Sequence, residues 1–156
     1  MTKISKIMAT EVPKLDKNAD ISAAAELIAG KPHGCVVVVD GAKPIGIITE
    51  SDILKNLVQN KSKITADKIM SSPITSLSSY TNLEKASKII DTKHFRRYPV
   101  VDNGNLVGLV TENGIVQAIN DNIRFHRNMQ NVIVVIFVVF EFFVFILYKY
   151  FIKFLG

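Results

Sequence analysis

Slid against itself by 62 residues, the sequence repeats without a gap from position 4 to position 58. Lys6-Ile7-Met8 meets Lys68-Ile69-Met70, Leu15 meets Leu77, and Ala24 meets Ala86. Val38-Val39-Asp40 meets Val100-Val101-Asp102, and Gly46, Thr49, Glu50 and Ile53 meet Gly108, Thr111, Glu112 and Ile115. Within this last motif a carboxylate is lost: Asp52 becomes Gly114. A unit of about 60 residues buries too little surface to be stable by itself. With only two copies, the repeat predicts a pair of small domains packed on a shared core rather than a solenoid.

Each copy carries the same order of elements. In the first, ADISAAAELIAG predicts a helix capped by Asp20 or Ser22 and ended by Gly30. CVVVVD predicts a short buried strand, GAKP a turn, IGIIT a second strand and SDILKNLVQN a second helix. In the second copy, TNLEKASKIIDTK is the helix, YPVVD the strand and LVGLVT the return strand. Asn103-Gly104 between those strands suits a hairpin turn with positive φ at both central residues.

The order KIM, capped helix, PVVD, then GhhTxxDI (h apolar) resembles the CBS domain, and two in tandem resemble a Bateman module. The resemblance covers about residues 1–122. It implies a mixed α/β (α+β) fold of two βαββα-type repeats, 1–62 and 63–124, packed as a pseudo-symmetric pair. Residues 125–156 follow as a juxtamembrane segment and a hydrophobic helix. The resemblance also implies a regulatory module, usually a homodimer, that binds an adenosine compound between the repeats. AMP, ADP, ATP and S-adenosylmethionine are the candidate ligands, and no obligatory cofactor is expected.

The residues themselves support two readings at Thr49-Glu50-Ser51-Asp52. One is a capping box, in which Thr49 caps the helix and Asp52 bonds back, worth about 1 kcal/mol. The other uses the same helix N-terminus as a ligand site. In the family this Asp holds the ribose, with this Thr or Ser nearby. Arg96 and Arg97, directly before a strand, suit bidentate phosphate contacts. In related pairs, basic residues at this place reach the phosphates of a nucleotide whose ribose the other repeat holds. Strand alternation predicts that at most one of the two arginines faces a cleft. The matching stretch of copy one, PHGCVVVVD, offers only His33. Thr10, Val12 and Pro13, with counterparts Ser72, Ile74 and Thr75, lie where the family's chain touches the base. Tyr98, Pro99 and Thr111 complete the candidate set. The loss of Asp52's counterpart at Gly114 predicts one asymmetric site, with Thr111 still able to cap its helix.

No catalytic set is apparent. His33, His94 and His126 are dispersed, which speaks against a metal site. No Walker-type glycine loop occurs. Cys35 lies in an apolar run without an adjacent base and reads as an inert buried thiol in a reducing compartment. The net charge of +5 comes with scattered lysines, which describes a basic surface better than a nucleic-acid patch. A ligand-free scaffold and a nucleic-acid-binding protein are the alternatives to a ligand sensor.

The last quarter follows a different rule, with seven of the nine phenylalanines in residues 137–154. Residues 131–155 form an apolar run of 25, long enough to cross a bilayer as a helix with Lys149 and Lys153 at its far end. No signal-peptide-like stretch opens the sequence, so the run predicts a C-terminal membrane anchor. Arg124, His126 and Arg127 on its near side favour a cytoplasmic module that signals in trans to an unidentified protein. A buried oligomerisation helix is the rival reading. Glu141 near mid-span is costly for a bilayer and reads either as a tolerated blemish or as a helix–helix contact. The absence of Gly and Pro from residues 115–155 permits one continuous helix, although NDN at 120–122 is a place for it to break.

Overall fold

The structure, a computed structural model, describes residues 2–30, 33–58, 64–93 and 95–155. His94 and the junction at 62–63 therefore lie outside the described residues. The chain divides into two units, Met1–Val116 and Gln117–Gly156.

In the first unit a single 3-10 turn, Ile4–Lys6, is followed by β1 (Lys14–Asp16), α1 (Ile21–Ala29), β2 (Cys35–Asp40), β3 (Lys43–Thr49) and α2 (Glu50–Val58). Then come α3 (Ala66–Ile69), α4 (Leu83–Lys93), β4 (Arg97–Asp102), β5 (Asn105–Thr111) and the start of α5 (Glu112–Leu155). The local signals act where the sequence places them. Asp20 accepts the Ser22 N–H at 2.8 Å at the start of α1, and Asn82 accepts the Lys85 N–H at 2.8 Å at the start of α4. Gly30 ends α1 with φ −88°, so it stops the helix without the left-handed turn that C-terminal glycines commonly take. Asn103 and Gly104 adopt φ of 51° and 81° in the β4–β5 hairpin.

β2 sits between β1, which is parallel to it, and β3, which is antiparallel. Its unbroken apolar run is explained by burial on both faces. Val36 and Val38 point to the helices, packing with Ile21, Ala24 and Ile28. Cys35, Val37 and Val39 point the other way, onto Leu106 and Leu109 of β5. In the second repeat β4 and β5 pair antiparallel, and Leu77 adds a parallel bridge to Val100. That third strand is shorter for a covalent reason. Val37 donates its N–H to the Pro13 carbonyl at 3.0 Å, but its counterpart is Pro99, which has no N–H to give.

The two repeats exchange their opening turns. The Ile4 N–H bonds the Thr81 carbonyl at 2.9 Å, and its counterpart Ala66 N–H bonds Ala19 at 2.8 Å. Ser5 N–H bonds Ser79 and Asp67 N–H bonds Lys17 in the same paired fashion, at 2.9 and 3.0 Å. Ala9 then bridges to Leu109, and Ser71 to Ile47. The core of the first lobe accordingly contains Ala66 and Ile69 beside Leu15, Ile21 and Val38. The KIM methionines seal the exchange. A Cβ added at Gly46 would collide with the Met70 sulfur and lie 2.9 Å from the Met70 Cβ. One at Gly108 would lie 2.7 Å from the Met8 sulfur and 3.0 Å from the Ala9 carbonyl oxygen. This close approach is why the glycine of GhhT stands in both copies.

The second unit consists of α5 from Gln117 onward, and NDN does not interrupt the helix.

Overpacking at the exchange point is testable. Gly46→Ala is expected to lower stability by about 1–3 kcal/mol. Adding Met70→Ala should make the double variant less destabilised than the sum of the single changes. Thermal or urea denaturation of the four proteins reads both effects.

Candidate functional site

A cleft of about 600 Å³ opens where the exchanged segment of the second repeat crosses the sheet of the first. Its floor is apolar, from Ile47 of β3, Ile74 of the crossing segment and Pro99 of β4. Another part is lined by Thr49 at the end of β3 and by Ser51, Asp52 and Lys55 of α2. A third part carries Phe95, Arg96 and Arg97. Three cations thus face one carboxylate in the lining, Lys55, Arg96 and Arg97 against Asp52.

Asp52 is held in place by the helix cap. Its Oδ2 accepts the Thr49 N–H at 2.9 Å and the Thr49 hydroxyl at 2.7 Å. Both bonds fall on one oxygen, and the cap makes no use of Oδ1. The capping box and a ligand contact are therefore compatible. In the second repeat the hydroxyl of Thr111 accepts the Gly114 N–H at 3.1 Å, so the cap persists there without a carboxylate.

Arg97 is anchored across the repeats. Its Nε donates to the His33 carbonyl at 2.6 Å. A Cβ on Gly34, whose φ is +57°, would lie 2.8 Å from the Arg97 Nη2 and 3.3 Å from the Glu50 carboxylate. Glycine at this position thus lets guanidinium and carboxylate close over the backbone. Arg96 precedes β4, and its carbonyl accepts the Glu112 N–H at 3.0 Å. Because Arg96 lies outside the pleated strand, alternation does not separate the two arginines. Both line the cleft, which corrects the expectation of at most one. They also line an adjoining hollow of about 560 Å³, with His33, Thr111, Glu112 and Asn113.

Of the residues singled out in the sequence, Thr49, Ser51, Asp52, Arg96, Arg97 and Pro99 line the one cleft. Thr111 lines the adjoining hollow instead. Tyr98 is fully buried behind the strand, its hydroxyl accepting the Phe95 N–H at 3.2 Å. Thr10, Val12 and Pro13 are not part of this lining. The exchange carries their segment to β5 of the second repeat, where Val12 packs on the cluster of Cys35, Val37 and Leu109. Ser71, Pro73, Ile74 and Thr75 occupy the corresponding place in the cleft. Ser72 turns aside, and its hydroxyl donates to the Ile45 carbonyl at 3.0 Å. Ile47, Lys55 and Phe95 were not singled out beforehand. Lys55 lies one helical turn beyond Asp52, a spacing that puts it on the same face. Phe95 is the neighbour of Arg96.

Cys35 is buried, and its burial pushes the thiol up to about 11 against the opposing Arg97 guanidinium. It is therefore a protonated thiol at neutral pH and a weak nucleophile. Asp102, the aspartate ending PVVD, is held below the usual carboxylate range by hydrogen bonds from Ser79 and Ser78. Its task is to tie the loop before α4 to β4. Among the described residues, no group of three or more His, Cys, Asp or Glu side chains is placed to hold a metal ion.

The CBS domain family model matches residues 4–59 and again residues 66–121. Protein MJ1404 of Methanocaldococcus jannaschii is 31% identical over 136 residues, covering 77% of this chain and 32% of its own length. The chain spans a third to a half of the length of the first curated relatives it matches. The fold is similar to that of the CBS domain pair of protein MJ0100 in complex with 5′-methylthioadenosine and S-adenosyl-L-methionine. There the TM-score is 0.70 and the identity 26%, over 78% of this chain and 98% of that one. It is also similar to CBSX2 of Arabidopsis thaliana in complex with AMP, with a TM-score of 0.66 and 23% identity over 78% and 98% of the two chains. With both repeats matched and the paired fold shared, this chain belongs to the CBS domain family and is a tandem CBS pair.

Proposed function

We propose that this protein is a membrane-anchored sensor that binds an adenosine-containing ligand in the cleft beside Asp52. The observation that carries this reading is the meeting, in one cleft, of the Asp52 carboxylate from one repeat with Arg96 and Arg97 from the other. Asp52 Oδ1 accepts hydrogen bonds from the two ribose hydroxyls. The apolar floor of Ile47, Ile74 and Pro99 takes the base, and the cations take phosphate. The volume of about 600 Å³ falls within the range of small-molecule sites. Adenosine ligands bound to the MJ0100 pair support the ligand class.

The site is single. At the positions equivalent to Asp52, Arg96 and Arg97 stand Gly114, Gly34 and Cys35. Val12, the counterpart of Ile74, packs on Cys35, Val37 and Leu109, and the matching positions offer neither the Asp52 carboxylate nor the two guanidinium groups. Binding bridges the two repeats and favours the arrangement in which both walls of the cleft touch the ligand. A partner protein that distinguishes that arrangement reads the signal. The module acts by binding rather than by catalysis.

The anchor is α5. Its span Glu112–Lys149 has a mean hydropathy of 2.7 at its most apolar window, and none of that window is buried. A helix apolar on nearly every side and uncovered by protein suits a bilayer. Arg124 and Arg127 on the near side of the span support a CBS pair that faces the cytoplasm.

Three outcomes check this reading. AMP, ADP or ATP is expected to raise the melting temperature of the CBS pair in the detergent-solubilised full chain. A flat response to all three and to S-adenosylmethionine at millimolar concentration would leave the scaffold reading. Asp52→Ala should weaken binding by about 30-fold, from loss of charge-assisted bonds worth about 2 kcal/mol, as measured by calorimetry. In a membrane flotation assay the full chain should rise with the vesicles, and deletion of residues 131–155 should leave it in the soluble fraction.

A further inference from the structure

We propose that Glu141 is the contact through which α5 pairs with a second copy of this chain inside the bilayer, an inference that rests on the anchor reading. At about 1.5 Å per residue, Glu141 lies about 13 Å along the helix from Val132 and about 10 Å from Tyr148. That places it near the middle of a hydrocarbon layer about 30 Å thick. Its short side chain reaches neither headgroup region, and an unpartnered carboxylate at that depth is costly.

Successive helical residues turn by about 100°. On that wheel Gln130, Val134, Val138, Glu141, Phe145 and Tyr148 fall along one stripe. Gln130, Glu141 and Tyr148 therefore share a face. The opposite face holds a shallow hollow lined by Val135, Ile136, Val139, Phe140 and Phe143, with no polar side chain. One side of the helix is suited to lipid and the other carries the groups that lipid cannot satisfy.

A second copy is the occupant that matches. Two copies inserted from the same side place their Glu141 residues at the same depth by symmetry. A neutral carboxylic acid group both donates and accepts, so two of them at one depth can close a hydrogen-bonded pair without any other residue. Valines at 134 and 138 flank Glu141 on the stripe and leave its carboxyl reachable from a second helix. The span has no glycine, so small-residue packing does not supply the association.

The test uses the full chain in phosphatidylcholine–phosphatidylglycerol vesicles, with Cys35→Ser as background. Single cysteines are introduced as Val134→Cys or Val138→Cys on the stripe, and as Ile136→Cys or Val139→Cys opposite. The stripe cysteines are expected to cross-link at least fivefold more than the opposite ones. Glu141→Leu should abolish that preference and Glu141→Gln should keep most of it, with flotation unchanged in both. Equal cross-linking from both faces, or a preference that survives Glu141→Leu, overturns the pairing while the anchor stands. A full chain that does not float overturns the anchor and the pairing together.

Discussion

The exchange of opening turns between the repeats is the constraint on which the rest of the CBS pair depends. Each repeat by itself lacks the residues that close its core. Ala66 and Ile69 complete the lobe built by α1 and β2, while Ile4, fully buried, is held by the Thr81 carbonyl of the second repeat. Met70 on Gly46 and Met8 on Gly108 then bring the crossing segments against the partner's sheet at van der Waals distance. The cleft exists because of this crossing, since Ser71, Pro73, Ile74 and Thr75 reach it only by running beside β3 of the other repeat. Packing and site formation are one event in this fold.

From that nearly symmetric frame an asymmetric surface arises by a few substitutions. The cap at the start of each helix survives in both repeats, through Asp52 in one and the Thr111 hydroxyl in the other. A cap tolerates loss of its carboxylate at a fraction of its usual worth. A polyhydroxylated ligand does not, because its donors would be left unpaired. The same division holds for the cations. Arg97 stands where the first repeat has Cys35, and the change turns a buried thiol among valines into a guanidinium held by the His33 carbonyl. The repeat thus preserves what folding needs in both copies and keeps the proposed ligand-binding groups in one.

The long helix obeys a different physics. In the first unit an apolar side chain is buried by its neighbours, whereas in α5 Phe137, Val138, Phe142 and Phe145 each remain more than half exposed. Exposed apolar area of that extent is stable only against another apolar phase or another protein. Glu141 is the exception within it, and its position on the same face as Gln130 and Tyr148 gives the helix a direction that hydropathy alone does not reveal.

Much was legible in the residues because it depends on near neighbours in the chain. The 62-residue repeat, the strands of β-branched residues, the Asn103-Gly104 hairpin and the caps at Asp20 and Thr49 all follow from spacing and local hydrogen bonding. So does the apolar helix, whose length and composition are properties of one segment. What only the tertiary structure decided involves partners far apart in sequence. That Thr10, Val12 and Pro13 lie away from the cleft while Ile74 and Thr75 line it follows from the exchange, which no local pattern encodes. That both arginines share the cleft likewise appears only once the strands and helices are assembled. Local chemistry selects the elements, and long-range backbone pairing selects which of their side chains meet.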